Sequence, residues 1–233
     1  MAKYKIADIV VEMKQEFEET AYWYKPYLYN GEDEPVFTLE ADPKRMDYLV
    51  KNGVDITPPI AENMVLCADF NRKLLKYYGT YLHSSAMLFE GKAYLFSATS
   101  GTGKSTHTQK WIKRFGDDKV KIINDDKPSF RLIDGKCIVY GSPFAGGTDV
   151  QENISAELGA LVFIERSETN SLEKIPPSRS ISMLISQSPK SLSEKSGDRQ
   201  LEIYSEILTK YPVYLLRCNL DDEAVDVAMG ILN

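Results

Sequence analysis

Apolar and polar positions change rhythm several times along this chain of 233 residues. Residues 4–13 mix alternation with an apolar run, and residues 36–40 (Val-Phe-Thr-Leu-Glu) alternate more cleanly, with the two-residue period of a half-buried strand. Between them stand Tyr22-Trp23-Tyr24 and Tyr27-Leu28-Tyr29. These patterns predict a small strand-rich N-terminal cap over residues 1–60, closed at Pro58-Pro59. Its aromatics either pack on a core or present a recognition surface, and the residue types leave both open.

Residues 61–233 read as one larger unit. Met64, Leu66, Cys67, Phe70, Leu74 and Leu75 recur at helical spacing over 61–79, with Gly79 as the stop. Segments 82–89 and 92–97 predict a hairpin through Glu90-Gly91, and 129–133 and 136–140 a second through Asp134-Gly135. A short buried strand is expected at 160–164, and the Ser-, Pro-, Lys- and Glu-rich segment 166–199 as a long, partly mobile excursion. A helix at 200–210, a strand at 213–217 and a closing helix at 221–232 complete the reading.

Composition narrows the partners. Hydrophobic content of 43% and charged content of 27% are those of a globular protein, and the net charge is -6 with both signs interspersed. That balance argues against nucleic acid or an anionic membrane, which reward clustered Lys and Arg. Cys67, Cys137 and Cys218 form no Cys-x-x-Cys pair, so buried free thiols are expected rather than a zinc site or a disulfide framework. Residues 1–11 hold no apolar run of signal-peptide length, and no stretch of eighteen apolar residues occurs, so the expected location is cytoplasmic.

The chemistry concentrates at Ala98-Thr99-Ser100-Gly101-Thr102-Gly103-Lys104-Ser105, between the apolar strand 93–97 and a helical segment holding Trp111, Ile112 and Phe115 that stops at Gly116. Strand, glycine-rich turn and helix are the context of a phosphate-binding loop. Gly101 and Gly103 let successive N–H groups converge on one anion, and the helix N-terminus adds partial positive charge. Ser100, Gly101, Thr102, Gly103, Lys104, Ser105 and Thr106 are therefore the expected nucleotide contacts, with Lys104 reaching the outer phosphates and Ser105 offering its hydroxyl to Mg2+. Ala98 stands where the usual pattern opens with glycine. The alternative is a coincidental turn.

Val120-Lys121-Ile122-Ile123-Asn124 then ends in Asp125 and Asp126, the first of them 21 positions after Lys104. One helix and a return strand fill that gap, so both strand ends should open on one edge of the sheet. One carboxylate there can hold Mg2+ and the other can take a proton from an attacking hydroxyl. A solvated loop whose aspartates cap a turn is the alternative. His83 and His107 are the only histidines, each either lining the site or structural. A two-residue turn before the loop strand forces an antiparallel neighbour, so a mixed sheet is predicted rather than the parallel one of common P-loop enzymes.

Ser100-Gly101-Thr102-Gly103-Lys104-Ser105 resembles the phosphate loop of ATP-dependent phosphoenolpyruvate carboxykinases and of the HPr kinase/phosphorylase catalytic domain, and Asn124-Asp125-Asp126 resembles their paired-aspartate element. The match extends over roughly 60–233 to the small HPr-kinase-related proteins of bacteria. It runs through Leu82-His83-x-Ser85-Ala86, Ser105-Thr106-His107, Trp111, Asn124 to Pro128, and Gly141-Ser142-Pro143-Phe144 with Gly146-Gly147. The resemblance implies an α/β fold with a mixed, partly antiparallel sheet, and an assembly of copies. It implies ATP and Mg2+ as cofactors, Lys104 on the β/γ-phosphates, Ser105 and Asp125 at the metal, Asp126 as general base and His83 at the transfer site. Where HPr kinases carry Glu-x-Arg-Gly, this chain reads Cys137-Ile138-Val139-Tyr140-Gly141, so neither dephosphorylation nor HPr as acceptor carries over.

The expected function is an ATP/Mg-dependent kinase acting on a hydroxyl of a small protein, peptide or metabolite. A nucleotide-binding regulator without turnover is the alternative. A carboxykinase-like decarboxylating enzyme is the third reading, and no separate basic set for a dicarboxylate supports it. The 141–147 loop either forms part of the acceptor pocket or is an ordinary glycine-rich connection.

Overall fold

The computed structural model describes residues 1–145, 150–190 and 193–232. Strands β1 (Ala2–Ile6) and β2 (Ile9–Lys14) pair as an antiparallel hairpin, turning through Ala7 and Asp8 at positive φ. Helix α1 (Glu18–Tyr24) follows, then β3 (Thr38–Glu40) parallel to β2, and α2 (Pro43–Asn52), whose N-cap Asp42 accepts from the Lys44 amide. The N-terminal segment thus carries helices beside its sheet. Tyr24 and Tyr27 are buried in the core, Tyr29 is half-buried and Tyr22 is exposed, so the tyrosine cluster is divided between core and surface.

Helix α3 (Pro58–Leu74) holds both prolines in its first turn, where no N–H is needed. Its Leu66 and Phe70 share one core with Ile6, Val11, Met13 and Tyr24, joined by Tyr140 and Phe144 from far along the chain. Fully buried Glu62 accepts the Glu16 amide at 2.5 Å and the Phe17 amide at 3.4 Å, tying the backbone that enters α1 to α3. The helix expected at 61–79 ends at Leu74 instead, with a 3₁₀ turn over Leu75–Tyr77. Gly79 opens strand β4 (Gly79–Tyr81). A Cβ there would lie 2.5 Å from Arg131 Cγ and 2.8 Å from the Phe130 carbonyl, so this glycine serves close strand contact rather than a helix stop.

Both expected hairpins are present: β5 (Ser84–Phe89) with β6 (Lys92–Ser97), and β8 (Ser129–Ile133) with β9 (Lys136–Tyr140). Helix α4 (Lys104–Phe115) and β7 (Val120–Asn124) lie between them in sequence. Then come β10 (Ser155–Arg166), β11 (Ser171–Lys174), α5 (Pro177–Ser186), α6 (Glu194–Lys210), β12 (Val213–Cys218) and α7 (Glu223–Ala228), with a closing 3₁₀ turn at Met229–Leu232. The excursion expected over 166–199 is therefore largely an edge strand and a helix. The strand expected at 160–164 is a twelve-residue strand, its polar ends hidden from an apolar-run reading.

Among the described residues nine strands form one mixed sheet in the order β4-β8-β9-β10-β6-β5-β7, with β12 and β11 branching from β10. Strand β10 forks the sheet. Its first residues pair antiparallel with β9, and its later ones run parallel to both β6 and β12. Both faces are covered, so the central strands are apolar throughout. In β6, Ala93 and Leu95 join the core beneath α5 and α6, while Tyr94 and Phe96 join the one beneath α4 and α7.

Candidate functional site

Residues 98–103 connect β6 to α4 at the sheet edge. Gly101 and Gly103 take φ of 76° and 119°, a region closed to other residues without strain, and the side where a Cβ would stand is open space. Ala98 is not among the residues with positive φ, so alanine serves there without backbone cost. Thr99 and Thr102 bridge the loop through their hydroxyls at 2.8 Å. Lys104, 7% exposed, donates from Nζ to the Ala98 carbonyl at 3.0 Å. Burial lowers its pKa, opposed by the charges of Asp126 and Asp125. Ser100, Ser105 and Thr106 are exposed beside it, and Thr102 is half-buried.

Strands β6 and β7 are both antiparallel to β5 and hence parallel to each other, so their C-terminal ends meet on one edge. That places Asp125 and Asp126 against the loop. Fully buried Asn124 fixes the turn. Its amide donates to the Ser142 carbonyl at 2.9 Å, and its Oδ1 accepts the Asp126 and Lys127 amides at 2.9 and 2.7 Å. Asp125 accepts from the Ser85 hydroxyl, which also pairs with Thr108 of α4 at 2.8 Å. Asp126 faces two nitrogens: His83 Nε2 lies 3.4 Å from Oδ1, and the Lys127 ammonium is paired with Oδ2. The His83 pKa is lowered, first by burial and then by Lys104, with Asp126 opposing. Its Nδ1 lies 3.3 Å from Gln187 Oε1.

His83, Ser100, Lys104, Ser105, Asp125 and Asp126 surround an open cleft of about 390 Å³. All the sequence-derived catalytic and metal candidates thus stand in one place. Among the described residues no group of three or more His, Cys, Asp or Glu could hold a metal alone. Ser105 and Asp125 both line this cleft, and a hydroxyl and a carboxylate are oxygen donors of the type that hard cations take.

A second cavity, of about 410 Å³, opens on the other flank of the loop, against Gly103, Thr106, Ile164, Cys218 and Leu220. Arg166 closes it, donating to the Thr102 carbonyl at 3.2 Å and to that of Gly101. Lys110 donates to the Leu220 carbonyl. His107 belongs to this flank and is structural: buried against Phe96, it accepts from Trp111 Nε1 at 3.1 Å, and burial lowers its pKa to about 4. Cys67, Cys137 and Cys218 are buried free thiols, all with pKa raised by burial.

The sequence reading assigned no role to Lys127, Ser85, Gln187 or Arg166. Ser85 and Lys127 stood inside the runs that carried the resemblance, next to residues that were given roles. Arg166 lies 62 positions from Lys104 with no local motif, and only the parallel pairing of β10 with β6 brings it to the loop. Of the 141–147 loop, Ser142 is tied to the Lys127 carbonyl at 2.9 Å, while Gly146 and Gly147 lie outside the described residues.

Among the described residues no helix is long and apolar enough to cross a membrane. No protein-family model matches the chain, and no curated protein matches it. Among solved structures it is similar to the HPr(Ser) kinase/phosphatase from Coxiella burnetii, with a TM-score of 0.38 and 11% identity, over 65% of this chain and 92% of that one. A likeness of that size marks only a distant structural relationship.

Proposed function

We propose that the chain is an ATP- and Mg2+-dependent kinase that transfers a phosphoryl group to a hydroxyl. The observation that carries this reading is the convergence, around one open cleft, of a glycine loop with positive φ, Lys104, Ser105 and two carboxylates at the end of β7, which runs parallel to β6 with β5 between them. Loop amides and the α4 N-terminus would cradle the β- and γ-phosphates. The Lys104 ammonium, now on the Ala98 carbonyl, would turn to the outer phosphates. Ser105 and Asp125 would hold Mg2+, which supplies charge neutralisation across the phosphates when bound. The nucleoside would lie in the opposite cavity, along the apolar wall of Ile164 and Leu220.

Transfer balances simply: the acceptor oxygen bonds to γ-phosphorus, the bridging bond to the β-phosphate oxygen breaks, and ADP leaves. Asp126 takes the hydroxyl proton, with neutral His83 3.4 Å from its Oδ1 and Lys127 holding its second oxygen. The regulator reading draws on that same ion pair, because the Lys127 ammonium occupies the second oxygen of Asp126. Titration calorimetry with Mg-ATP and release of labelled phosphate separate the two. The kinase reading expects micromolar-to-millimolar binding, slow hydrolysis in water, and loss of both in Lys104→Ala. Binding with no turnover under any acceptor would leave the regulator, and no binding by the unaltered chain would end both.

A further inference from the structure

Gln187 stands 104 positions from His83 in the chain and meets it twice. The His83 amide donates to the Gln187 carbonyl at 2.8 Å, and His83 Nδ1 lies 3.3 Å from Gln187 Oε1. The segment that carries Gln187 follows the end of α5 and is pinned to α6. Buried Gln200 donates to the Pro189 carbonyl at 3.1 Å, and the buried Tyr204 hydroxyl donates to Ser188 Oγ. Gln187 thus meets the histidine of the cleft from a segment held in place by a long helix.

The neighbours decide which ring nitrogen of His83 carries the hydrogen. Ser186 Oγ gives its own hydrogen to the Met183 carbonyl at 2.7 Å, so it receives one from Gln187 Nε2, 3.3 Å away. That turns Gln187 Oε1, which can only accept, towards His83 Nδ1. Burial, and then the nearby Lys104 charge, favour the neutral ring, which has one N–H to give. A hydrogen on Nδ1 leaves Nε2 bare, 3.4 Å from Asp126 Oδ1.

We infer that Gln187 is a positioning residue for phosphoryl transfer, holding His83 in the Nδ1–H tautomer so that no ring donor covers Asp126 Oδ1. This inference rests on the kinase reading and adds a residue to it. The opposite tautomer would aim an N–H at Oδ1 while the Lys127 ammonium covers Oδ2. The carboxylate would then have no uncovered oxygen to meet the acceptor hydroxyl. With Nε2 bare, Oδ1 stays open to it. Gln187 touches neither nucleotide nor acceptor in this scheme and acts only through the ring of His83, whose tautomer is set by the partner of its other nitrogen.

Proton–nitrogen NMR correlation of the imidazole rings reads the tautomer directly, and the chain has only two histidines to resolve. His107, whose Nε2 accepts from Trp111, carries its hydrogen on Nδ1 and serves as the internal reference. The unaltered full chain, near neutral pH and without nucleotide, should show His83 in the Nδ1–H form. Gln187→Met keeps the length of the side chain and removes the acceptor. It should move the His83 hydrogen to Nε2 and leave the His107 pattern, the sign of an intact fold, unchanged. Hydrolysis at saturating Mg-ATP should fall about tenfold with Mg-ATP affinity kept, as for a group that matters only in the transition state. A hydrogen on Nε2 in the unaltered chain overturns the inference without any variant. So does a tautomer that Gln187→Met fails to move, or one that moves while turnover stays the same. Absence of Mg-ATP binding by the unaltered chain is a separate result: it ends the kinase reading, and the role in transfer with it, whichever tautomer is found.

Discussion

The two flanks of the phosphate loop handle charge in different ways. On the Asp126 flank charged groups face one another: Asp126 has His83 at 3.4 Å and the Lys127 ammonium, and Asp125 and Asp126 both act on Lys104. On the Arg166 flank the cations are chiefly tied to backbone oxygens, Arg166 to Gly101 and Thr102 and Lys110 to Leu220. An ion pair between side chains can reopen when a substrate brings its own charge, because each partner keeps an alternative. A guanidinium bound to two loop carbonyls holds a shape. The difference separates a flank of mutually facing charged groups from one that holds the loop's shape and offers an apolar wall. The two histidines repeat the contrast. His83 faces a carboxylate in the cleft, whereas His107 is closed between Phe96 and Trp111.

The largest effect expected from this contrast is on turnover. Asp126→Asn keeps the shape of the side chain and can still accept from Lys127, yet it cannot take a proton at neutral pH. Turnover should fall by roughly 10²–10⁴, the usual worth of a positioned base, with Mg-ATP affinity changed only a few-fold. Steady-state kinetics beside calorimetry check both. Turnover within a few-fold of the unaltered chain would break the comparison, because the reactive flank would then hold no base.

The next effect is on stability and separates the two histidines. His107 has a pKa of about 4 in the folded chain against an ordinary value of 6.5. The unfolded chain therefore binds a proton that the folded one refuses between those values. Stability is complete above about pH 6.5 and falls as pH drops towards 4, by about 3 kcal/mol from this group. Chemical denaturation across that range should show the loss, and His107→Gln should flatten it while costing some stability at neutral pH. His83 is also shifted down, but Asp126 opposes the shift, so His83→Gln should flatten the profile less. Equal effects would mean that the two flanks do not differ in the way described.

How much of this was legible follows from how local each feature is. Hairpins at Glu90-Gly91 and Asp134-Gly135 could be read because those pairs adopt the positive φ that a two-residue turn demands. The β1–β2 hairpin turns through Ala7-Asp8 with the same geometry but no glycine, and the sequence offered only a mixed pattern there. The loop, Lys104 and the aspartates were legible because one strand-turn-helix unit and one return strand place them. The sheet's mixed character followed from a turn too short for a crossover. What escaped depends on distant pairing. The fork of β10 brings Arg166 to the loop, and β11 with α5 fills a stretch whose polar composition read as an excursion. Lys127 was visible as a neighbour of Asp126, but its ion pair depends on the turn that Asn124 and Ser142 fix.

The smallest effect sharpens the comparison most. Arg166→Gln removes two donations to loop carbonyls at the exposed surface and leaves every group on the Asp126 flank in place. The loop would then order itself only on binding nucleotide, at a cost of about 1 kcal/mol. Mg-ATP affinity should weaken about fivefold, with turnover at saturating ATP unchanged. Asp126→Asn should show the reverse, with turnover lost and affinity kept. Opposite signatures from two residues on either side of one loop are what a division between shape and chemistry requires. If Arg166→Gln instead lowered saturated turnover, the guanidinium would be acting on the transferred phosphoryl group, and the wall described above would be part of the reactive centre.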